Sequence, residues 1–342
     1  MDVVGLFPEE LKTWLAERQI VSFRADQIFS WLHRHAVESF SDMTNLPDEI
    51  IRTLTATFKS PWPLELVTSR LSLDGTEKYL FSLRDGAAIE AVLIPEDIRQ
   101  TLCISTQVGC AMGCSFCATG KSGYTRNLSL AEIVAQVLWV QHRLRELGKT
   151  ISNVVYMGMG EPLANYEAVL GSARLLNHPK GLSLGARRLT ISTCGLVPQI
   201  RALAEEDIQL NLAISLHAVT DAKRSQVMPV NKRFPIQELM EACDYYTERT
   251  GRRVSYEYAL IRGFNDQVTE AQGLRDLLKG RLCHVNLIPI NPVGEEKRPP
   301  ARSIAEFAKV LEDGFIPVSI RKERGTDIEA ACGQLRQTHL QE

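Results

Sequence analysis

The sequence predicts an α/β protein whose core is a parallel sheet wound into a partial (β/α)6 barrel. Three observations lead there. From residue 100 onward, short apolar runs alternate with segments of helical periodicity. Six strand–helix repeats can be read, followed by a seventh apolar run, where a closed barrel needs eight. The runs end in polar or turn-forming residues, as expected when one end of a sheet carries a ligand site.

Taken in order, residues 1–62 read as a small helical domain. Pro8 to Leu15 combines helix formers with an apolar face. Phe23 to His35 repeats that pattern, and Leu46-Pro47 opens a third helix with Ile50, Ile51 and Leu54 apolar. Trp62-Pro63 breaks it. Residues 63–99 read as a short antiparallel unit, in which Lys78 to Leu83 alternates, Asp85-Gly86 turns and Ile89 to Ile94 returns. Residues 100–342 hold the barrel. Its runs are Leu102–Ser105, Val154–Met157, Leu189–Ser192, Leu210–Ser215, Val254–Leu260 and Val285–Ile290, with Pro317–Arg321 as the seventh. A helix is predicted over Ser129–Leu147, opened by the capping box Ser129-Leu130-Ala131-Glu132. Others fall near Tyr166–Leu176, Gln199–Glu205, Ile236–Arg249, Val268–Leu278 and Ile304–Leu311.

The apolar fraction of 44% and charged fraction of 23% suit a globular protein. No run is long and apolar enough to span a bilayer, and the N-terminus lacks the features of a signal peptide. The expected location is therefore cytoplasmic, with no membrane partner. The formal net charge is −2, so a nucleic acid would have to be gripped by local patches rather than bulk charge. Arg187–Arg188, Arg249 with Arg252–Arg253, and Lys297–Arg298 are candidates, and each is otherwise a solvated face.

Eight cysteines in an intracellular chain of this size are not a disulfide framework. Three crowd into Cys110-Ala-Met-Gly-Cys114-Ser-Phe-Cys117, a C-x3-C-x2-C spacing after the first barrel run. Thiolates so close suit one soft metal centre. Structural zinc takes four protein ligands, and no fourth Cys or His is near in sequence. A [4Fe–4S] cluster also usually takes four cysteines, so three would leave one iron open to a small ligand. Cysteines that merely pack, and a zinc site, remain the alternatives on spacing alone.

The cysteine loop resembles that of the radical-SAM superfamily. A wider pattern resembles the bacterial dual-specificity 23S rRNA/tRNA adenine-C2 methyltransferases over nearly the whole chain. It comprises Cys103 to Gly120, Gly158-Met-Gly-Glu-Pro162, Ser215-Leu-His217, Asn286-Leu-Ile-Pro-Ile-Asn-Pro292 and Asp327 to Leu335. Phe23 to Gln27 and Met43 to Leu46 belong to it as well. The resemblance implies a partial barrel of radical-SAM type. It implies a [4Fe–4S] cluster on Cys110, Cys114 and Cys117, with S-adenosylmethionine (SAM) on the open iron. Gly160 and Glu161 match the segment that holds the amino group of SAM. Ser192, Ser215, Leu216, His217 and Asn291 match positions that bind the rest.

The resemblance also implies a mechanism. Adenine C2 lies between two ring nitrogens and is too electron-poor to attack an electrophilic methyl group. Two SAM molecules are therefore used per turnover. One methylates Cys332, and the other yields a deoxyadenosyl radical that takes hydrogen from the S-methyl group. The carbon radical adds to C2 and joins enzyme to RNA. Glu90 matches the base that removes the C2 proton. Cys103 matches the resolving thiol, which attacks the sulfur of Cys332 and leaves a transient disulfide. Without the resemblance, Gly158 and Gly160 could be chain turns, His217 a strand-end histidine, Glu90 a strand carboxylate and Cys103 a packing residue. Cys194, Cys243 and Cys283 match no motif and read as packing residues.

The implied partners are 23S rRNA, tRNA and an electron-donor reductase, and the expected state is a monomer. The N-terminal helices would grip RNA shape, or serve as a simple domain cap. Two readings compete. The chloramphenicol–florfenicol resistance methyltransferases act at adenine C8 and share the cysteines, but Pro162 and Pro289 match the C2 group. A non-catalytic iron–sulfur or zinc RNA-binding module would leave Cys332 idle.

Overall fold

The computed structural model describes residues 2–291 and 297–335. Pro292 of the expected motif, and residues 336–342 of the predicted barrel segment, lie outside the described residues.

The N-terminal region is helical, with α1 (Pro8–Ala16), α2 (Arg24–His33) and α3 (Asp48–Phe58). Pro8 opens α1, where its missing N–H breaks no helical bond, and Glu10 accepts the Phe7 N–H at 2.7 Å. The helices bury Leu11, Leu15, Ile28, Phe29, Leu32 and Leu54, and Trp14 meets Phe58 at 5.1 Å between ring centres.

Four antiparallel strands follow: β1 (Leu64–Leu71), β2 (Glu77–Leu83), β3 (Ala88–Glu96) and β4 (Arg99–Cys103). The Asp85-Gly86 turn joins β2 to β3, with Gly86 at φ 83°. The chain then makes a small ladder of β5 (Gln107–Gly109) and β6 (Tyr124–Asn127), which brackets the cysteine loop and the short α4 (Ala118–Lys121). Next come α5 (Leu130–Glu146), β7 (Asn153–Tyr156), α6 (Tyr166–Asn177), β8 (Leu189–Thr193), α7 (Val197–Ala204) and β9 (Asn211–Ser215). The series continues through α8 (Asp221–Val227), α9 (Ile236–Thr250), β10 (Val254–Leu260), α10 (Val268–Leu278), β11 (Cys283–Pro289), α11 (Ala301–Asp313) and β12 (Val318–Ile320).

One ten-stranded sheet runs in the order β1-β2-β3-β4-β7-β8-β9-β10-β11-β12. From β4 to β12 every pairing is parallel, as strands joined by helical crossovers must be. β1 and β12 lie at opposite ends of that order, so the barrel is open. The expected partial barrel is present, and the antiparallel strands continue its sheet. β4 is at once the last antiparallel strand and the first parallel one.

α5 is the most enclosed helix near the site. The predicted capping box is formed: Glu132 N–H reaches Ser129 Oγ at 3.2 Å, and Ser129 N–H reaches Glu132 Oε2 at 2.8 Å. From within α5, fully buried Gln136 accepts the Ser105 N–H at 2.9 Å and donates to the Ser105 carbonyl at 3.0 Å. This amide takes the place of a strand partner where the chain leaves β4 for the cysteine loop. Gln136→Leu should orphan both backbone groups, at about 1–3 kcal/mol each. Urea unfolding monitored by fluorescence checks this, and an unchanged midpoint would remove Gln136 from that role.

Candidate active site

The parallel strands all end on one side, and the loops there enclose a cavity of about 180 Å³. Cys110, Cys114 and Cys117 line it from the loop after β5. Gly160 and Glu161 line it from the end of β7, Ser192 from β8, and Ser215 and His217 from β9. Asn291 and Cys332 complete the set from beyond β11 and β12. Leu216 is fully buried behind this wall, while Cys103 and Glu90 lie outside it.

The loop after β7 is latched to the strand that feeds the cysteines. Met159 N–H meets Ser105 Oγ at 2.9 Å, Thr106 N–H meets the Met159 carbonyl at 2.8 Å, and Glu161 N–H meets Gln107 Oε1 at 2.8 Å. Gly160 has φ +107°, and a Cβ there would stand 2.6 Å from that of Gln107, so no other residue fits without moving the latch. The buried Glu161 carboxylate accepts N–H groups of Leu163 at 3.0 Å and Cys194 at 2.8 Å. Burial raises its pKa, and these bonds oppose the rise. His217, at φ 58°, accepts the Ala259 N–H on Nδ1 at 2.9 Å and meets the edge of Phe116 at 4.7 Å. Burial, helped by Arg224, pushes it down to about 3, so the ring is neutral at ordinary pH.

The cysteine loop is held by backbone bonds. Cys110 N–H reaches Gly123 O at 2.7 Å, and Ser115 N–H reaches Val227 O, at the end of α8, at 3.0 Å. Met112, Cys114 and Phe116 pack against Cys194, Val227 and Met228. Burial pushes the Cys110 thiol up to about 11, and Cys114 also upward, so these two bind metal only by giving up protons. Among the described residues, no three His, Cys, Asp or Glu side chains are gathered as ligands of a single ion. The trio instead rings a common space, which suits a cluster whose irons each take a different thiolate.

The segment after β12 carries Cys332 into the same space. It is tied down by Ala118 N–H to Gly333 O at 2.7 Å, Asn291 Nδ2 to Cys332 O at 3.4 Å, and Ser72 Oγ to Asp327 at 2.5 Å. Cys332 also borders a second cavity of about 350 Å³, with Ile94, Thr101, Arg321, Lys322 and Arg324 around it. Cys103 is buried at the end of β4 with Cys332 as a neighbour, and all eight cysteines are free thiols. Burial and the neighbouring Cys332 push Cys103 up to about 12, with Arg321 pulling the other way. Arg321 lines both cavities beside Cys332 and stands 3.7 Å from Glu257. Glu90 is buried on β3, 3.2 Å from Lys78 Nζ. It lies on the strand face shared with Val92, the residue opposite Cys103. Lys78 also donates to Glu329 O at 3.2 Å, so Glu90 is connected to the Cys332 segment through one lysine.

Residues 104–271 match the radical SAM superfamily, and residues 1–59 match the ribosomal RNA large subunit methyltransferase N-terminal domain. A probable dual-specificity RNA methyltransferase RlmN of Geobacillus kaustophilus is 48% identical over 336 residues, covering 98% of this chain and 92% of that protein. The chain belongs to the RlmN family of radical SAM RNA methyltransferases. A second relative with the same description, from Bacillus pumilus, is 49% identical over 335 residues, 97% of this chain and 93% of its own. A radical SAM methyltransferase from Sphaerobacter thermophilus superimposes with a TM-score of 0.96 at 47% identity, covering 99% of this chain and 100% of that one.

Members of this family use a [4Fe–4S] cluster and SAM. The donor set fits the cluster: three thiols face one cavity from a loop whose backbone is fixed elsewhere. Cys194, which reads from sequence as a packing residue, also borders that cavity, and its backbone N–H donates to Glu161. Its only sequence signal is its place directly after β8. Arg321, Glu257 and Arg224 carry no motif and escape sequence reading, because each meets a partner on a different element of the fold.

Proposed function

We propose that this chain methylates C2 of an adenosine in 23S rRNA and in tRNA, acting in the cytoplasm as a monomer served by an electron-donor reductase. The observation that carries the reading is Cys332, which borders two cavities at once and neighbours Cys103. One cavity has the cysteine trio; the other has basic side chains suited to a nucleotide.

Cys110, Cys114 and Cys117 would hold the cluster, which when bound supplies the electron that cleaves SAM and so the radical power of the site. Gly160, Glu161, Ser192, Ser215, Leu216, His217 and Asn291 would seat SAM. The Cys332 thiolate takes a methyl group from one SAM, forming an S–C bond and releasing S-adenosylhomocysteine. The S-methyl group would give up one hydrogen atom to the deoxyadenosyl radical from a second SAM, and the methylene carbon then bonds to C2 of an adenine held in the second cavity. Glu90 would receive the C2 proton, and the electron that leaves the adduct would return to the oxidised cluster held by Cys110, Cys114 and Cys117. Cys103 then forms an S–S bond with Cys332, the S–CH2 bond breaks, and a proton completes the methyl group on the RNA.

Residues 1–62 act as the RNA-recognition domain, 63–99 as its extension to the sheet, and 100–342 as the catalytic core. Phe23, 57% exposed with the Arg24 guanidinium 4.7 Å above its ring, offers a stacking platform for an RNA base. Among the described residues no helix is long and apolar enough to cross a membrane. A non-catalytic module would leave Cys332 between its two cavities without purpose.

Anaerobic reaction with SAM and a reductant, followed by mass spectrometry of digested nucleosides, tests this. The expected product is 2-methyladenosine from both a 23S rRNA fragment and tRNA. 8-Methyladenosine would overturn the C2 assignment, and product from rRNA alone would remove tRNA.

A further inference from the structure

The reaction as described leaves Arg224 without a task. α8 has no apolar stripe, yet Arg224 within it is 0% exposed. Its hydrogen bonds all go to neutral acceptors. Nε donates to Leu216 O at 3.1 Å, Nη2 to Cys194 O at 2.7 Å and Ser215 O at 3.0 Å, and Nη1 to Asn231 Oδ1 at 3.0 Å. Among the described residues no carboxylate forms an ion pair with it. Asp221, exposed one helical turn earlier, connects only through Asn231, whose Nδ2 donates to Asp221 Oδ1 at 3.0 Å. Burying a guanidinium with no counter-charge is costly, and hydrogen bonds alone offset it only in part.

The missing negative charge has a place to come from. Arg224 grips the ends of β8 and β9, both of which line the first cavity. The same helix receives Ser115, between Cys114 and Cys117, on its last carbonyl. Cys194, whose carbonyl Arg224 holds, packs against Cys114 of the cysteine loop. A [4Fe–4S] cluster on three thiolates is anionic and gains a further negative charge on reduction. A fixed buried cation stabilises the reduced form more than the oxidised form.

We propose that Arg224 is the buried counter-charge of the cluster and sets the potential at which the cluster accepts its electron. It acts as a positioning and tuning residue, touching neither SAM nor RNA. The proposal rests on the reading of Cys110, Cys114 and Cys117 as cluster ligands.

The test is an EPR-monitored redox titration of the anaerobically reconstituted full chain, without SAM or RNA. Arg224→Gln should make reduction at least about tenfold less favourable, a potential lower by about 59 mV for a one-electron couple. Arg224→Lys keeps the charge and should stay within about threefold of wild type. Asp221→Asn removes the opposing charge and should shift the potential upward by a smaller amount, because Asp221 is exposed. These opposite signs separate charge from simple bracing of β8 and β9. An unmoved potential in iron-loaded Arg224→Gln overturns the proposal. If that variant holds no iron, Asp221→Asn decides: a rise upholds the proposal and no change overturns it. Wild-type protein that binds no cluster would sink the reading of the three cysteines and this proposal together, whereas a wild-type cluster with unmoved potentials in the variants sinks this proposal alone.

Discussion

Replacement of Cys103 by alanine should leave the protein able to join itself to RNA and unable to let go. Cys332 would still carry the methyl group and form the bond to C2, but no thiol would stand ready to attack its sulfur. A protein–RNA crosslink should therefore accumulate in Cys103→Ala and be absent from Cys332→Ala and from the double variant. Denaturing gels after expression in cells, with nuclease treatment as control, read this directly. Turnover of Cys103→Ala at the wild-type rate with no crosslink would reduce Cys103 to a packing residue. The pH dependence of release has a defined sign. Burial pushes the Cys103 thiol up, so its attacking thiolate is scarce at neutral pH. The wild-type adduct should resolve faster as pH rises from about 7 to about 9, by up to about tenfold per unit while the thiol stays mostly protonated. An adduct lifetime independent of pH would place the slow step elsewhere.

The second large effect is expected at the cysteine trio. Cys110→Ala, Cys114→Ala and Cys117→Ala should each lose most of the bound iron and all detectable methylation, since each thiolate would hold a different iron. The fold should survive. The loop hangs from backbone bonds such as Cys110 N–H to Gly123 O, and the sheet beneath is packed independently of it. Iron analysis beside far-ultraviolet circular dichroism separates the two outcomes. Full iron in all three single variants would exclude the trio as ligands, and loss of secondary structure along with iron would show the loop to be part of the core.

Much of this architecture is local in origin. A strand buried on both faces reads as an apolar run, and a helix packed on a sheet shows its period. Val254–Leu260 and Val285–Ile290 thus mark β10 and β11 nearly to the residue. Ser129 and Glu132 announce the start of α5 because a capping box is a bond between residues three apart. β5, β6 and α8 leave weaker traces. The first two are three or four residues long, too short for periodicity to emerge, and the only wholly inward charge of α8 is an arginine that looks solvated in sequence.

By itself, then, the sequence determined an open α/β barrel, a C-x3-C-x2-C loop after its first strand, and a family likeness that named Cys103 and Cys332 as partners. Only the tertiary structure decided that β4 ends one ladder and begins another, and that Cys332 borders two cavities. It alone brought Arg321 beside Cys332 in both cavities and turned Arg224 toward the strand ends behind the cysteine loop. The physical reason is range. Periodicity and capping report interactions within one or two turns of chain. A buried charge and its surroundings are brought together by sheet order, which places residues more than a hundred positions apart at one rim.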